Sequence, residues 1–217
     1  MTTLVIGNKN YSSWSLRPWL LLREFGIAFE ERRLALDTDE FRAAIGALSP
    51  SGRVPVLHHE GRVIWDSLAI CEYANEVWLD GRGWPTDPSA RAMARCAASE
   101  MHSGFMALRE QLPMNCDRQP NAYRWTASGQ ADIDRVQALW SDLRSRFGAG
   151  GDFLCGGFGI VDAIFAPVAI RFRGYGVECS PVAAAYCDAL YGLKGMQEWL
   201  AAGRGEPQRL AKYEALR

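Results

Sequence analysis

Four hydroxyl groups lie close together near the start of the sequence, on Tyr11, Ser12, Ser13 and Ser15. They follow a short β-branched run and precede a helical pattern, which places the serines at the N-terminus of a helix. A helix N-terminus carries free N–H groups and partial positive charge, and both favour an anion such as a thiolate. A serine hydroxyl there can donate a hydrogen bond to the anion, but N-capping explains the same serines equally well.

A second group of interest is residues 52–57, GRVPVL, in which a proline begins a predicted strand directly after a turn. Because proline has no N–H to donate, it is confined to strand edges, strand starts and bulges. This position favours a fixed kink of the backbone, and we predict a cis bond between Val54 and Pro55. An ordinary edge-strand proline is the alternative.

The third group is Asp66 and Ser67, at the next predicted junction between a strand and a helix. A carboxylate, a hydroxyl and free backbone N–H groups meet there. Such a set suits the head group of an amino acid, whose ammonium and carboxylate need partners of opposite kinds. A plain helix cap is again the alternative.

The elements that would position these groups follow from the apolar periodicity. The first 80 residues predict the order β-α-β-α-β-β-α, which forms one compact α/β layer. A segment rich in glycine and proline follows at 81–88, and strand signals nearly vanish beyond it. We therefore predict an α/β domain at 1–80, a linker at 81–88 and an all-helical domain at 89–217. Its helical patterns cover 89–112, 129–147, 160–172, 181–188 and 193–202.

Composition argues against nucleic-acid-binding, membrane-spanning and metal-binding proteins. The 217 residues carry a formal net charge of −1 with basic residues spread along the chain, which argues against a nucleic-acid partner. The sequence contains neither a signal-peptide pattern nor an apolar run approaching the roughly 20 residues of a membrane-spanning helix. A soluble, cytoplasmic protein is expected. With only three histidines and no paired Cys-x-x-Cys, we predict no metal site, no cofactor and six free thiols, buried or half-buried.

In this order along the chain, the three groups resemble the cytosolic glutathione S-transferase family, and the resemblance covers the whole chain. Residues 52–57 are similar to its G-K/R-V-P-x-L segment, and Asp66 with Ser67 to its E/Q/D-S pair. Residues 12–17, SSWSLR, resemble the S-S-C-S-x-R motif of the serine-type zeta class, with Trp14 in the place of the cysteine.

Two further segments support the resemblance. Residues 84–88, WPTDP, are similar to the linker of the family. The helix entered at 158–162 resembles its capping box, S/T-x-x-D, with Gly159 in the place of the serine or threonine. Only the half of the box formed by Asp162 can then be made.

The resemblance implies a thioredoxin-like N-terminal domain and a glutathione transferase acting on small, partly apolar electrophiles, with a role in detoxification. Glutathione would be a co-substrate rather than a bound cofactor. A glutathione-dependent isomerase or dehalogenase is the alternative within enzymes, and a non-catalytic binding module is the alternative outside them. The family also implies a homodimer, for which an apolar outer face over residues 63–73 would be suitable.

The resemblance also assigns glutathione-binding roles to Arg53, Val54, Pro55, Asp66 and Ser67. It places the thiol-activating hydroxyl on Ser12, five residues before Arg17, as a hydrogen-bond donor to the sulfur. Tyr11, Ser13 and Ser15 are the alternative donors.

The electrophile site is less well marked in the sequence. Met101 and Phe105 lie on the first predicted helix of the second domain, where their spacing favours the core. In the family this helix lines the electrophile site, so the resemblance makes both residues weak candidates for substrate contact.

Overall fold

The computed structural model describes residues 1–214. Its N-terminal part contains a mixed sheet of four strands in the order β2-β1-β3-β4, with β2 parallel and β3 antiparallel to β1. The order β-α-β-α-β-β-α is confirmed. The elements are β1 (Thr2–Ile6), α1 (Ser13–Glu24), β2 (Glu30–Arg33), α2 (Asp39–Leu48), β3 (Val56–His59), β4 (Arg62–Ile64) and α3 (Ser67–Val77).

The central strand β1 separates two apolar clusters, because alternate side chains of a strand point to opposite faces. Leu4 and Ile6 belong to the main core together with α1 and α3. Val5 points the other way and packs with Val56 and with Ile45 of α2. Because β3 is antiparallel to both β1 and β4, these two strands run in the same direction, and the helices that follow them, α1 and α3, begin at the same end of the sheet.

The remainder is helical, with a short 3-10 turn at Gly148–Gly150. The helices are α4 (Pro88–Ser103), α5 (Met106–Gln111), α6 (Ala127–Phe147), α7 (Ile160–Tyr175), α8 (Pro181–Gly192), α9 (Lys194–Gly205) and α10 (Ala211–Glu214). No helix or strand lies between Val77 and Pro88, the region predicted as the linker, and the domain boundaries stay a prediction. None of the helices within residues 1–214 is both long and apolar enough to cross a membrane.

The helix predicted at 89–112 is divided in two. Gly104 is extended, and Phe105 adopts a left-handed conformation with φ 59°, so α5 starts in a new direction. The periodicity concealed the break because apolar residues continue on both sides of it. The new direction brings the Arg109 guanidinium back to the end of α4, where it donates to the carbonyls of Met101 and Gly104.

Helix α7 is the apolar centre of the helical part, and its N-terminus is fixed by Asp162. This carboxylate is fully buried and accepts from the N–H groups of Leu154 and Gly159 and from the Tyr186 hydroxyl. Burial raises the pKa of Asp162 to about 6. A Cβ atom at Gly159 would lie 2.7 Å from the Gly83 carbonyl oxygen, which explains why serine or threonine is missing there.

The six cysteines are all free. Five are buried or half-buried as predicted, whereas Cys96 on α4 is exposed, contrary to the expectation.

Candidate functional site

The first part of the site is the N-terminus of α1. Ser12 occupies the N-cap position, yet its side chain makes no capping hydrogen bond. Its hydroxyl instead donates to Ser15 Oγ at 2.7 Å, and Ser15 Oγ also accepts the N–H of Gly7 at 3.1 Å. N-capping therefore does not explain Ser12.

Ser13, the first residue of α1, lies beside a cation. Its Oγ atom accepts from Nη2 of Arg171 at 3.3 Å, so its own proton is free to be donated elsewhere. Ser12 and Ser13 are only 6% and 7% exposed, and both line a cavity of about 530 Å³.

Tyr11 lines the same cavity, but its hydroxyl is engaged with the C-terminal part of the described chain. It donates to Glu214 at 2.6 Å and accepts from the N–H of Leu210. Burial and the hydrogen bond to Glu214 raise the pKa of Tyr11. These contacts leave its hydroxyl less available to a ligand than those of Ser12 and Ser13.

A second cavity, of about 390 Å³, adjoins the first and shares Trp14, Arg53 and Val54 with it. The bond between Val54 and Pro55 is cis, as predicted. Because the smaller cavity is also lined by Asp66 and Ser67, all three sequence motifs contribute to the walls of two adjoining cavities.

Asp66 both caps α3 and faces the smaller cavity. Its Oδ1 atom accepts from the N–H groups of Leu68 and Ala69, and its Oδ2 atom lies 2.8 Å from Nε2 of His102. Ser67 is fully buried, and its hydroxyl has no hydrogen-bond partner within the described chain. A buried hydroxyl without a partner destabilises the folded protein, unless a bound ligand forms the missing hydrogen bond.

Trp14 separates the two cavities and lies between two guanidinium groups. The Arg17 group is 4.2 Å from its ring centroid and the Arg109 group 4.7 Å, while His102 approaches the ring edge-on. Cation–π contacts of this kind fix the orientation of an indole ring.

Sequence reasoning missed Arg109, Arg171 and His102, which come from α5, α7 and α4. No local motif surrounds them, and only the fold brings them to the N-terminus of α1. The sequence did contain one sign of Arg171, because this charged residue interrupts the otherwise apolar sequence of α7, and a buried charge often marks a functional site.

Met101 and Phe105 are placed in the core. They are 1% and 7% exposed, and neither lines either of the two cavities.

Comparisons with known proteins identify the family of the chain. Residues 11–77 match the family described as "Glutathione S-transferase, N-terminal domain". The maleylacetoacetate isomerase of Rattus norvegicus is 30% identical over 174 residues, covering 78% of this chain and 77% of that protein. A probable maleylacetoacetate isomerase of Caenorhabditis elegans is 33% identical over 96 residues, only 44% of each chain. The crystal structure of a Burkholderia glutathione transferase homologue with bound glutathione superposes with a TM-score of 0.71 at 24% identity, covering 94% of this chain and 99% of that one.

Proposed function

The chain belongs to the glutathione S-transferase family, and from that premise we propose that it activates glutathione as a thiolate for attack on a small electrophile. The observation that carries this proposal is the meeting of the three motifs around two adjoining cavities. No other region of the described chain combines a helix N-terminus, a cavity-lining residue before a cis proline and an unpartnered buried hydroxyl.

Glutathione fits this space in one direction. Its γ-glutamyl group enters the smaller cavity, where Asp66 attracts the ammonium and the Ser67 hydroxyl donates to the carboxylate. The backbone of Val54 pairs with the cysteinyl part. Arg53 lines both cavities, so it can reach a carboxylate of the ligand. The sulfur then points toward Ser12 at the start of α1.

The role of Ser12 is to donate a hydrogen bond to the sulfur. A free thiol has a pKa of about 8.5–9 and is mostly protonated at neutral pH. One charge-assisted hydrogen bond contributes about 1.5–3 kcal/mol, which lowers the pKa of the bound thiol by about one to two units. The thiol proton leaves to solvent, and the thiolate attacks the electrophile.

The hydrogen bond between Ser12 and Ser15 can supply this donor. If Ser15 donates to Ser12, the Ser12 proton becomes available to the sulfur while Ser15 Oγ keeps the N–H of Gly7. Ser13 is the second candidate, since Arg171 occupies one of its lone pairs and leaves its proton free.

A glutathione-dependent isomerase is the second candidate function, favoured by the similarity to the rat isomerase. In that reaction the thiolate adds to the substrate and leaves again, so glutathione is recovered. The chain differs from the zeta-class motif in having Trp14 where that motif has cysteine, and this difference argues against the isomerase.

The function is tested by measuring glutathione binding by calorimetry and then the turnover of chlorodinitrobenzene. Binding together with conjugation supports the transferase. Binding without turnover of chlorodinitrobenzene would instead favour the non-catalytic module. Conversion of a cis alkene conjugated to a carbonyl into its trans isomer, without net loss of glutathione, would favour the isomerase.

Two further parts of the proposal concern assembly and cofactors. We expect a homodimer, because Val63 and Trp65 are 37% and 46% exposed on the face predicted for it. Light scattering on the purified protein would detect it. Glutathione acts as co-substrate, and no group of three or more potential metal ligands occurs within residues 1–214.

A further inference from the structure

The larger cavity has a strongly cationic lining. Arg53, Arg109, Arg171 and Lys212 line it, and Asp37 is the one acidic residue of its described wall. Asp37 is already paired with Lys212 at 2.7 Å. Three arginines therefore remain at the wall with no ion pair to any residue in 1–214.

Arg171 is the most confined of them, at 5% exposure. Its guanidinium donates to the carbonyls of Arg109 and Leu112 and to Ser13 Oγ, whereas its Nε atom has no partner in the described chain. Burial and the neighbouring Arg109 lower the pKa of Arg171 to about 10. A buried cation is normally neutralised by a carboxylate, and no carboxylate within residues 1–214 forms an ion pair with Arg171.

A fourth guanidinium, which does not line the cavity, adds to the positive charge behind its wall. Arg17 lies under Trp14 at 1% exposure, and its Nε and Nη1 atoms lack partners among the described residues. Its pKa is lowered by burial first and then by Arg109 and Arg171. Arg17, Arg109 and Arg171 thus repel one another in a region from which water is largely removed.

The nearest acids are engaged elsewhere. Asp66 caps α3 and contacts His102, and Asp132 accepts the N–H of Leu108. Asp132 acts to raise the pKa of Arg109 and Asp66 that of Arg17, but burial outweighs both and the two pKa values are lowered. Glu214, near the far wall, accepts from Tyr11 and Asn115. Contacts to carbonyls explain why these arginines stay in place, but they do not neutralise the positive charge.

Glutathione does not neutralise it either. In the proposed binding mode its head group lies in the smaller cavity and Arg53 takes one carboxylate. The thiolate then brings a single negative charge to the start of α1, which leaves Arg109 and Arg171 with excess charge beside the reacting sulfur.

Resting on the proposed function, we propose that the second substrate is an anion: an electrophile whose carboxylate pairs with Arg171 and Arg109. Its uncharged part would lie along Trp14, which forms the wall between the two cavities. The substrate class is thereby narrowed, from the small, partly apolar electrophiles expected from sequence to those that carry a carboxylate.

The test uses electrophiles that differ only in charge. Two chlorodinitrobenzoates, with the carboxylate ortho or para to chlorine, are each compared with the matching neutral benzamide. In each reaction the thiolate sulfur bonds to the ring carbon, and chloride leaves with the electron pair of the C–Cl bond. The value of kcat/KM is divided by the uncatalysed rate with glutathione, which removes intrinsic reactivity from the comparison.

For at least one pair, the corrected kcat/KM of the acid should exceed that of the amide about tenfold or more. High salt should reduce this ratio, because it screens the attraction between the carboxylate and the arginines. Arg109→Gln, at a half-buried position, should abolish the preference for the acid over the amide. Arg146→Gln, which removes an equal charge from the exposed face of α6, should preserve it.

Three outcomes would overturn the inference. The first is that the unmodified enzyme gives the amide a corrected kcat/KM equal to or higher than that of the acid in both pairs. This result does not depend on the folding of any variant. The second is that Arg109→Gln raises the pKa of the bound thiol and lowers the corrected kcat/KM of acid and amide by the same factor. The arginines would then stabilise the thiolate rather than bind a substrate carboxylate. The third is turnover of chlorodinitrobenzene with neither acid nor amide accepted. If nothing is turned over at all, the proposed transferase function fails and this inference with it.

Discussion

Removing the Ser12 hydroxyl is the perturbation that bears most directly on the chemistry. Ser12 is 6% exposed and its side chain caps no helix N–H, so Ser12→Ala should leave α1 intact. It deletes one donor to the thiolate, which corresponds to about 1.5–3 kcal/mol. The pKa of bound glutathione should therefore rise by about one to two units, and activity at neutral pH should fall about tenfold or more.

The assay follows the thiolate absorbance of bound glutathione against pH, alongside the pH profile of kcat. The loss of activity should shrink as pH rises, because solvent then deprotonates the thiol without help. Ser13→Ala is the matched control and should have a much smaller effect. If Ser12→Ala keeps full activity at pH 7 while Ser13→Ala loses it, the Arg171-supported hydroxyl is the donor and the assignment to Ser12 is wrong.

Ser12→Cys extends the same reasoning. A cysteine at a helix N-terminus has a lowered pKa and would face the sulfur of the ligand. It should form a mixed disulfide with oxidised glutathione and lose conjugating activity. Mass spectrometry should detect the adduct at position 12, and its absence would mean that this side chain does not face the sulfur.

Three other predictions follow from the structure. Asp66→Asn combined with Ser67→Ala should weaken glutathione binding and raise its KM more than it lowers kcat; unchanged affinity in calorimetry would refute their placement. Cys71→Ser and Cys155→Ser should each retain turnover, because burial raises the pKa of both thiols, to about 12 for Cys155, and keeps them protonated. Loss of activity in a folded variant would show that one of these thiols takes part in the reaction. The folded-state pKa of Asp162 is raised from 3.8 to about 6, so its protonated form contributes stability that is present below about pH 4 and lost as pH rises through 6. This difference amounts to about 3 kcal/mol, and urea unfolding of Asp162→Asn should lack that part of the pH dependence.

The sequence predicted the N-terminal fold well because its signals are local. Alternating and helical periodicities, with Gly52 and Pro55 at a turn and a strand start, define each element within a few residues. The cis bond at Pro55 followed from the same local pattern, together with the family resemblance.

The walls of the candidate site could not be predicted in this way. The break between α4 and α5 depends on two residues, Gly104 and Phe105, inside a continuous apolar pattern. Arg109 and Arg171 reach Trp14 and Ser13 only after α5 and α7 have packed against α1. Their role depends on long-range packing, whereas Met101 and Phe105, chosen by their helix alone, are placed in the core.

Whether the three motifs form one glutathione site can be determined by a crystal structure of the protein with bound glutathione. We expect the γ-glutamyl group between Asp66 and Ser67, with the sulfur within hydrogen-bonding distance of Ser12 Oγ. Glutathione bound away from these residues, or with its sulfur directed away from the N-terminus of α1, would contradict this expectation.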